Sequence, residues 1–306
     1  MKAEVRACLS VILGFAAATC LRAQDPAKVK QEELIRCEVR PHNGKTAVFV
    51  NGVPKFPMAY SSYYPEQYRY KQVADQGIHT YILILTLTDK WLGGDMPVKW
   101  NTPGLWRGPD DVDIATVEAN IKKIVDIDPE ALIIIRVFCD SPIWWDLLNP
   151  EETNTQGELG GQGRRQSFSS RAWRNDTAGA LKKLVKGVSA SQYGNRVIGY
   201  MPTAGDTEEM SKHIDSGACT QKHFREWLFE RYGKDNREIE RLFGKKIEEI
   251  TLPSAAERTK ADCGYFLDPA KSRLVIELRQ FHSDEIVDSG LAFCKAVKEA
   301  SDGRLI

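Results

Sequence analysis

Three stretches of the chain are apolar almost without interruption: His79 to Leu87, Ala131 to Cys139 and, more briefly, Arg196 to Met201. Runs without alternation are what strands need when both of their faces are covered, as in a parallel sheet. Between them the apolar spacing turns helical. From Pro65 onward Tyr68, Val73 and Ala74 share one side, and Gly77 is placed to end that helix. Over Asp113 to Val125 the same spacing recurs in Ile114, Val117, Ile121, Ile124 and Val125, and a further helix is expected from Trp173 to Ser189. Upstream, Thr46 to Val50 and Lys55 to Tyr60 are short β-favouring runs separated by Asn51-Gly52-Val53-Pro54. Asn-Gly favours a tight hairpin turn, and the second run is expected to start a sheet.

Strand, helix, strand, helix, strand is the rhythm of parallel β/α units joined by right-handed crossovers. No Gly-x-Gly-x-x-Gly follows any of the strands, which disfavours a dinucleotide-binding sheet. The expected fold is therefore α/β, of the (β/α)8 TIM-barrel type. Helical segments at His223 to Tyr232 and Ser272 to Ala300 interrupt the rhythm, and an insertion is expected at about residues 203–271. Arg304-Leu305-Ile306, after Gly303, reads as the first step of a fifth strand. A parallel barrel closes with eight, so the chain is expected to be truncated at about the fifth strand, as a fragment of a longer protein, as the product of a truncated gene, or as a sheet that partner chains complete.

The opening residues change the picture of where the protein works. Lys2 and Arg6 precede an apolar stretch from Val11 to Thr19, and Leu21-Arg22-Ala23 forms a cleavage site before Gln24. The stretch is too short to span a bilayer. The division expected is a signal peptide over 1–23, a polar segment over 24–45 and a partial barrel over 46–306, with the mature protein secreted or periplasmic and no membrane as partner after signal removal.

Composition adds exclusions. The 306 residues are 42% apolar and 27% charged, an ordinary globular balance, with 42 basic and 42 acidic side chains. Balanced charge gives no electrostatic reason to expect nucleic acid. Seven cysteines are scattered without a Cys-x-x-Cys pair, and the five histidines are isolated. Neither a metal site nor a cofactor is expected from that distribution. After export one disulfide has room to form, with no pair singled out.

In parallel barrels the chemistry collects at the C-terminal ends of strands. Here those ends read Tyr60 to Glu66, Thr86 to Trp91, Asp140-Ser141-Pro142-Ile143-Trp144-Trp145-Asp146, and Pro202 to Met210 with Glu208 and Glu209. Aromatic and carboxylate residues dominate. Sugar rings stack their C–H faces on indole and phenol rings, their hydroxyls seek polar partners, and glycosidic hydrolysis uses a pair of carboxyl groups. A glycoside or oligosaccharide is the substrate this pattern suits. Packing under a loop for Trp144 or Trp145, capping of a turn for Asp140, and a solvated surface for the Glu pair are the alternatives.

Asn51-Gly52-Val53-Pro54-Lys55-Phe56-Pro57-Met58-Ala59-Tyr60, continuing through Tyr63-Tyr64-Pro65-Glu66, resembles the opening of β-galactosidase-like glycoside hydrolases of the retaining barrel clan. Arg136-Val137-Phe138 to Trp144-Trp145 resembles their third strand. Val197-Ile198-Gly199-Tyr200 with Ala204-Gly205-Asp206-Thr207-Glu208-Glu209 is similar to the fourth strand of family 42-like members, and Phe224 to Leu228 with Arg231-Tyr232-Gly233 to the helix beyond it. The resemblance implies that Glu209 is the acid/base residue, with Glu208 as runner-up, and that Tyr63, Asp140, Trp144 and Trp145 line the sugar subsite. The clan commonly has Asn before its acid/base Glu, where this chain has Thr207-Glu208. The clan's nucleophile comes from the end of the seventh strand, outside this chain. The implied activity is retaining cleavage of a β-linked galactoside or related sugar; a non-catalytic or degenerate carbohydrate-binding homologue is the competing expectation.

Overall fold

The uninterrupted apolar runs become neighbouring parallel strands. The computed structural model describes residues 34–55, 58–62, 67–89, 104–154, 165–205, 210, 216–260, 262 and 266–306. Of the chain's two units, Met1–Glu32 and Glu33–Ile306, all described residues belong to the second; the expected signal peptide lies outside them. In chain order the strands are β1 (Cys37–His42), β2 (Lys45–Val50), β3 (Val53–Lys55), β4 (Tyr60–Ser61), β5 (Thr80–Thr86), β6 (Trp106–Gly108), β7 (Asp111–Val112), β8 (Leu132–Phe138), β9 (Thr153–Asn154), β10 (Arg165–Gln166) and β11 (Val197–Thr203). The helices are α1 (Gln67–Ala74), α2 (Ile114–Val125), α3 (Ile143–Leu148), α4 (Arg171–Ala190), α5 (Ala218–Arg231), α6 (Asn236–Phe243), α7 (Ala255–Thr259) and α8 (Arg273–Ala300).

The central sheet has the order β11-β8-β5-β4, every pair parallel. Register aligns Leu83, Ile135 and Tyr200 in one row and Leu85 and Val137 in the next. These side chains are buried on the face that α2 and α4 cover. The alternate rows, Ile82-Ile134-Gly199 and Ile84-Arg136-Met201, belong to the opposite, inner face. Beyond β11 the expected fifth strand begins: the Ile306 amide donates to the Ile198 carbonyl at 3.1 Å, and the Ile306 carbonyl accepts from the Tyr200 amide at 2.8 Å. Gly199 permits this approach, because a Cβ there would come within 2.5 Å of the Ile306 oxygen.

The crossover helices form where sequence supplies both a cap and a stripe. Asp113 accepts from the Thr116 amide to cap α2, whose Val117, Ile121 and Ile124 are buried. Three such burials contribute about 1.5–3 kcal/mol each. Ser170 caps α4 through the Trp173 amide at 2.9 Å, and Trp173, Leu181, Leu184 and Val188 face the sheet. Arg174 of α4 reaches Glu285 of α8 at 2.5 Å and Ser289 at 3.1 Å. The N-terminal half of α8 also anchors the insertion, where Phe224 and Leu228 of α5, Ile239 of α6 and Ile250 meet Leu278 and Phe281 in a second apolar cluster.

The segment expected to be merely polar over 24–45 contains a strand. β1, β2 and β3 form an antiparallel sheet turned at Asn43-Gly44 and Asn51-Gly52, all four residues with positive φ. Of β1 only Cys37 is buried, so no apolar pattern announces it. The Cys37 amide donates to the Arg304 carbonyl and the Arg304 guanidinium to the Ile35 carbonyl, which ties this sheet to the fifth-strand position. Cys37, Cys139, Cys219 and Cys294 are free thiols. No described helix is long and apolar enough to cross a membrane.

One buried group makes stability depend on acidity. His282 of α8 packs against Phe168, its Nε2 has no hydrogen-bond partner among the described residues, and burial holds its pKa down at about 4 against 6.5 for a free imidazole. Between those values the unfolded chain binds more protons than the folded one, so this contribution is complete above pH 6.5 and lost as pH falls toward 4. The loss amounts to about 3 kcal/mol at most. Urea unfolding of His282→Phe at pH 7 and pH 4.5 should show a smaller drop between the two than the parent protein shows; equal drops would remove His282 as the cause.

Candidate active site at the strand tips

Because β4, β5, β8 and β11 run in one direction, the segments after them emerge on one side of the sheet. The tips are joined by short backbone bonds: Leu87 N donates to Phe138 O at 2.8 Å and Cys139 N to Thr203 O at 2.7 Å. Polar side chains then continue the tie. Thr88 Oγ1 donates to the Ser141 carbonyl at 2.9 Å, and the Ser141 amide donates to Gln166 Oε1 at 3.0 Å. Ser141 Oγ also donates to Asp146 Oδ1 at 2.5 Å. Gln166 turns its amide nitrogen to Asp140 Oδ1 at 2.8 Å, and the Gly205 amide donates to the two Asp140 oxygens at 3.2 and 3.0 Å. One connected set of bonds thus links the tips of β5, β8 and β11 with the β9–β10 hairpin.

Asp140, expected in the sugar subsite, has no exposed surface. Its oxygens are engaged by Gln166 and Gly205. Trp145 is likewise buried, with its indole N–H on Asp176 at 2.9 Å. Trp144 differs. It is half-buried, stacks edge-on against Trp106 with ring centroids 5.1 Å apart, and donates its indole N–H to the Trp106 carbonyl at 3.0 Å. Of the expected subsite aromatics, it is the one the described structure leaves partly open at the tips. Successive residues on a helix point about 100° apart, and α3 uses that rotation to send one tryptophan inward. Tyr63, Glu208 and Glu209 lie outside the described residues.

Residues with no distinguishing pattern in the sequence do much of the positioning. Gln166 follows a Gly- and Gln-rich stretch of sequence, and Trp106 stands between β5 and α2; no periodicity marks either. Thr88 and Ser141 are small polar residues of a kind found in any loop. Cys139 is no candidate nucleophile: burial first, and the Asp140 carboxylate second, push its thiol well above the ordinary range. Among the described residues, no group of three or more His, Cys, Asp or Glu side chains could hold a metal ion.

α5 borders the same region. His223 Nδ1 lies 2.6 Å from the Ser169 carbonyl, which requires the proton on that nitrogen, and Ser167 and Thr220 share a hydrogen bond at 3.1 Å. Cys219 donates to Glu152 Oε2 at 3.3 Å. The insertion is thereby pinned to the β8–α4 connection.

No family model matches the chain, and no curated protein matches it in sequence. Solved structures match it in fold. A β-galactosidase from the psychrophilic Marinomonas ef1 superposes on 80% of this chain with a TM-score of 0.55 and 14% identity. For a β-galactosidase from Bacillus circulans sp. alkalophilus the values are 80%, 0.54 and 13%, and for the catalytic domain of a β-amylase from Paenibacillus polymyxa 80%, 0.57 and 10%. The chain spans 35% of the length of each of these β-galactosidases and 63% of the β-amylase domain. These likenesses show the fold: the described sheet and helices correspond to part of a TIM barrel, and β-galactosidases and a β-amylase are among its structural neighbours.

The two neighbouring tryptophans should separate in experiment. Trp145→Ala empties a fully buried site and is expected to cost about 3–5 kcal/mol. Trp144→Ala should cost clearly less, because part of its surface is already in water. Denaturant unfolding of both variants checks this, and equal losses would contradict the placement.

Proposed function

We propose that the protein is an exported glycoside hydrolase that cleaves a β-linked galactoside or related sugar by a retaining, two-carboxylate route. The observation that carries the reading is the convergence of four parallel strand tips of a glycoside hydrolase-like barrel, with Asp206-Thr207-Glu208-Glu209 continuing directly from the last of them at Gly205. Glu209 is assigned as the general acid/base, with Glu208 as the alternative. Trp144 and Tyr63 are assigned to the sugar subsite, where an aromatic face meets the C–H face of the ring. Asp140 and Trp145 support that subsite from below.

In this mechanism the acid protonates the glycosidic oxygen as its bond to the anomeric carbon breaks, while a second carboxylate about 5 Å away attacks that carbon. Water, deprotonated by the same Glu, then releases the sugar. The second carboxylate is assigned outside residues 1–306, at the end of a seventh strand. Export is assigned on the basic, apolar and small-residue succession over residues 1–23.

A competing reading is a carbohydrate-binding protein without hydrolysis. It draws support from the described tips, where the carboxylates of Asp140 and Asp146 are both buried and hydrogen-bonded. Assay of the complete protein on aryl β-galactosides decides between the two. Hydrolysis that falls about 100-fold or more in Glu209→Gln supports the acid/base assignment. An unchanged rate in that variant removes Glu209, and saturable galactoside binding with no turnover by the parent protein favours the second reading.

A further inference from the structure

We propose that Trp106 is a positioning residue, which fixes the indole plane of Trp144 so that a sugar ring meets a face already set in place. The inference rests on the assignment of Trp144 to the sugar subsite. An indole turns about two side-chain bonds, and a ligand that stacks on a free one has to immobilise both. Freezing them at that moment weakens binding, and a ring held beforehand avoids the loss. Trp144 has two restraints of this kind, and Trp106 supplies both. The Trp106 carbonyl accepts from Trp144 Nε1 at 3.0 Å, which settles where that edge of the ring lies. The Trp106 ring stands at 88° to it with centroids 5.1 Å apart, which settles its plane.

Trp106 serves as a fixed reference because its own backbone is held on two sides. Its amide donates to the Leu87 carbonyl at 3.0 Å and the Leu105 amide to the Thr86 carbonyl at 2.9 Å, which lays this segment along the tip of β5. Gly104 permits the approach, since a Cβ there would fall 2.5 Å from the backbone of Thr88 and Asp89. On the other side Trp106 pairs with Val112 of β7, and the Leu105 carbonyl accepts from the Asp113 amide at 2.9 Å. The Trp106 side chain is only 3% exposed. The helix that carries Trp144 is tied to the same strand tip: Asp89 Oδ1 accepts from the Ile143 amide at 2.9 Å. Trp144 is thus the half-open member of a pair whose other member is buried and anchored to β5.

The ring of Trp106, rather than its N–H, is the part the inference needs. Its Nε1 is buried with no hydrogen-bond partner among the described residues, so phenylalanine gives up no bond there while keeping a ring against Trp144. Leucine keeps bulk and the backbone carbonyl but offers no ring. The test is calorimetric binding of methyl β-galactoside to the complete protein. Trp106→Leu should raise Kd about 5-fold or more, and Trp106→Phe should recover most of that loss. A role in packing alone would lower stability in Trp106→Leu and leave Kd unmoved. Trp106→Met takes the place of Trp106→Leu should that variant not fold. Trp144→Ala is run alongside and should raise Kd about 10-fold or more. If Trp144→Ala weakens binding while the Trp106 variants bind as the parent does, the inference alone is sunk. Equal weakening in Trp106→Phe and Trp106→Leu would also overturn it, because the ring would then not be what counts. Unchanged affinity in Trp144→Ala, or no binding by the parent protein, removes the sugar-subsite assignment and the inference with it.

Discussion

Parallel strands cannot be joined by a tight turn, so each pairing among β4, β5, β8 and β11 commits the chain to a crossover that packs its helix against the sheet. That commitment governs the rest. It demands a sheet covered by helices, which is why Tyr81, Leu83, Ile133, Ile135 and Tyr200 carry large apolar or aromatic side chains that are buried, Tyr81 against Tyr70 of α1. It also sends every strand out on the same side, so that the described tips of β5, β8 and β11 are bonded to one another at one end of the sheet. β8 is the central member. It is paired on both flanks, and its tip supplies Asp140 and Ser141, through which the neighbouring tips are bound together.

Buried polarity at that end of the sheet is tolerable only because it is nearly all matched. An unmatched carboxylate or amide in such a place costs on the order of 1–3 kcal/mol or more, and a partly satisfied network would loosen the loops it joins. Here Gln166 acts as an adaptor, its oxygen turned to Ser141 and its nitrogen to Asp140. Thr88 closes the β5 side. The outcome is one bonded, buried set of polar groups at the described strand tips.

Much of this architecture was legible in the residues. The apolar runs at Thr80–Thr86 and Leu132–Phe138 stand out because a strand covered on both faces has no polar side to disguise it, and Asp113 and Ser170 mark helix starts by residue type. β1 was not legible from hydrophobicity, since Cys37 alone is buried, although Asn43-Gly44 carries the same turn signal as Asn51-Gly52. The site was less legible than the fold. An aspartate after a strand looks the same in sequence whether it faces a ligand or a backbone amide sixty-odd residues away, and only the long-range pairing of β8 with β11 decides it. Trp144 and Trp145 were half decidable: once the segment is helical, two adjacent side chains cannot both face the same way.

The fold is shared with β-galactosidases at 13–14% identity, a level at which few individual contacts can be held in common. The pattern that parallel pairing enforces persists at such distance: covered strands, external helices and tips pointing one way. That pattern fixes where a site forms, while the side chains at the tips decide which chemistry it performs. At the turn on Gly205 the group that holds the backbone amide is the buried carboxylate of Asp140, so the end of β11 is fixed by the tip of its neighbour β8.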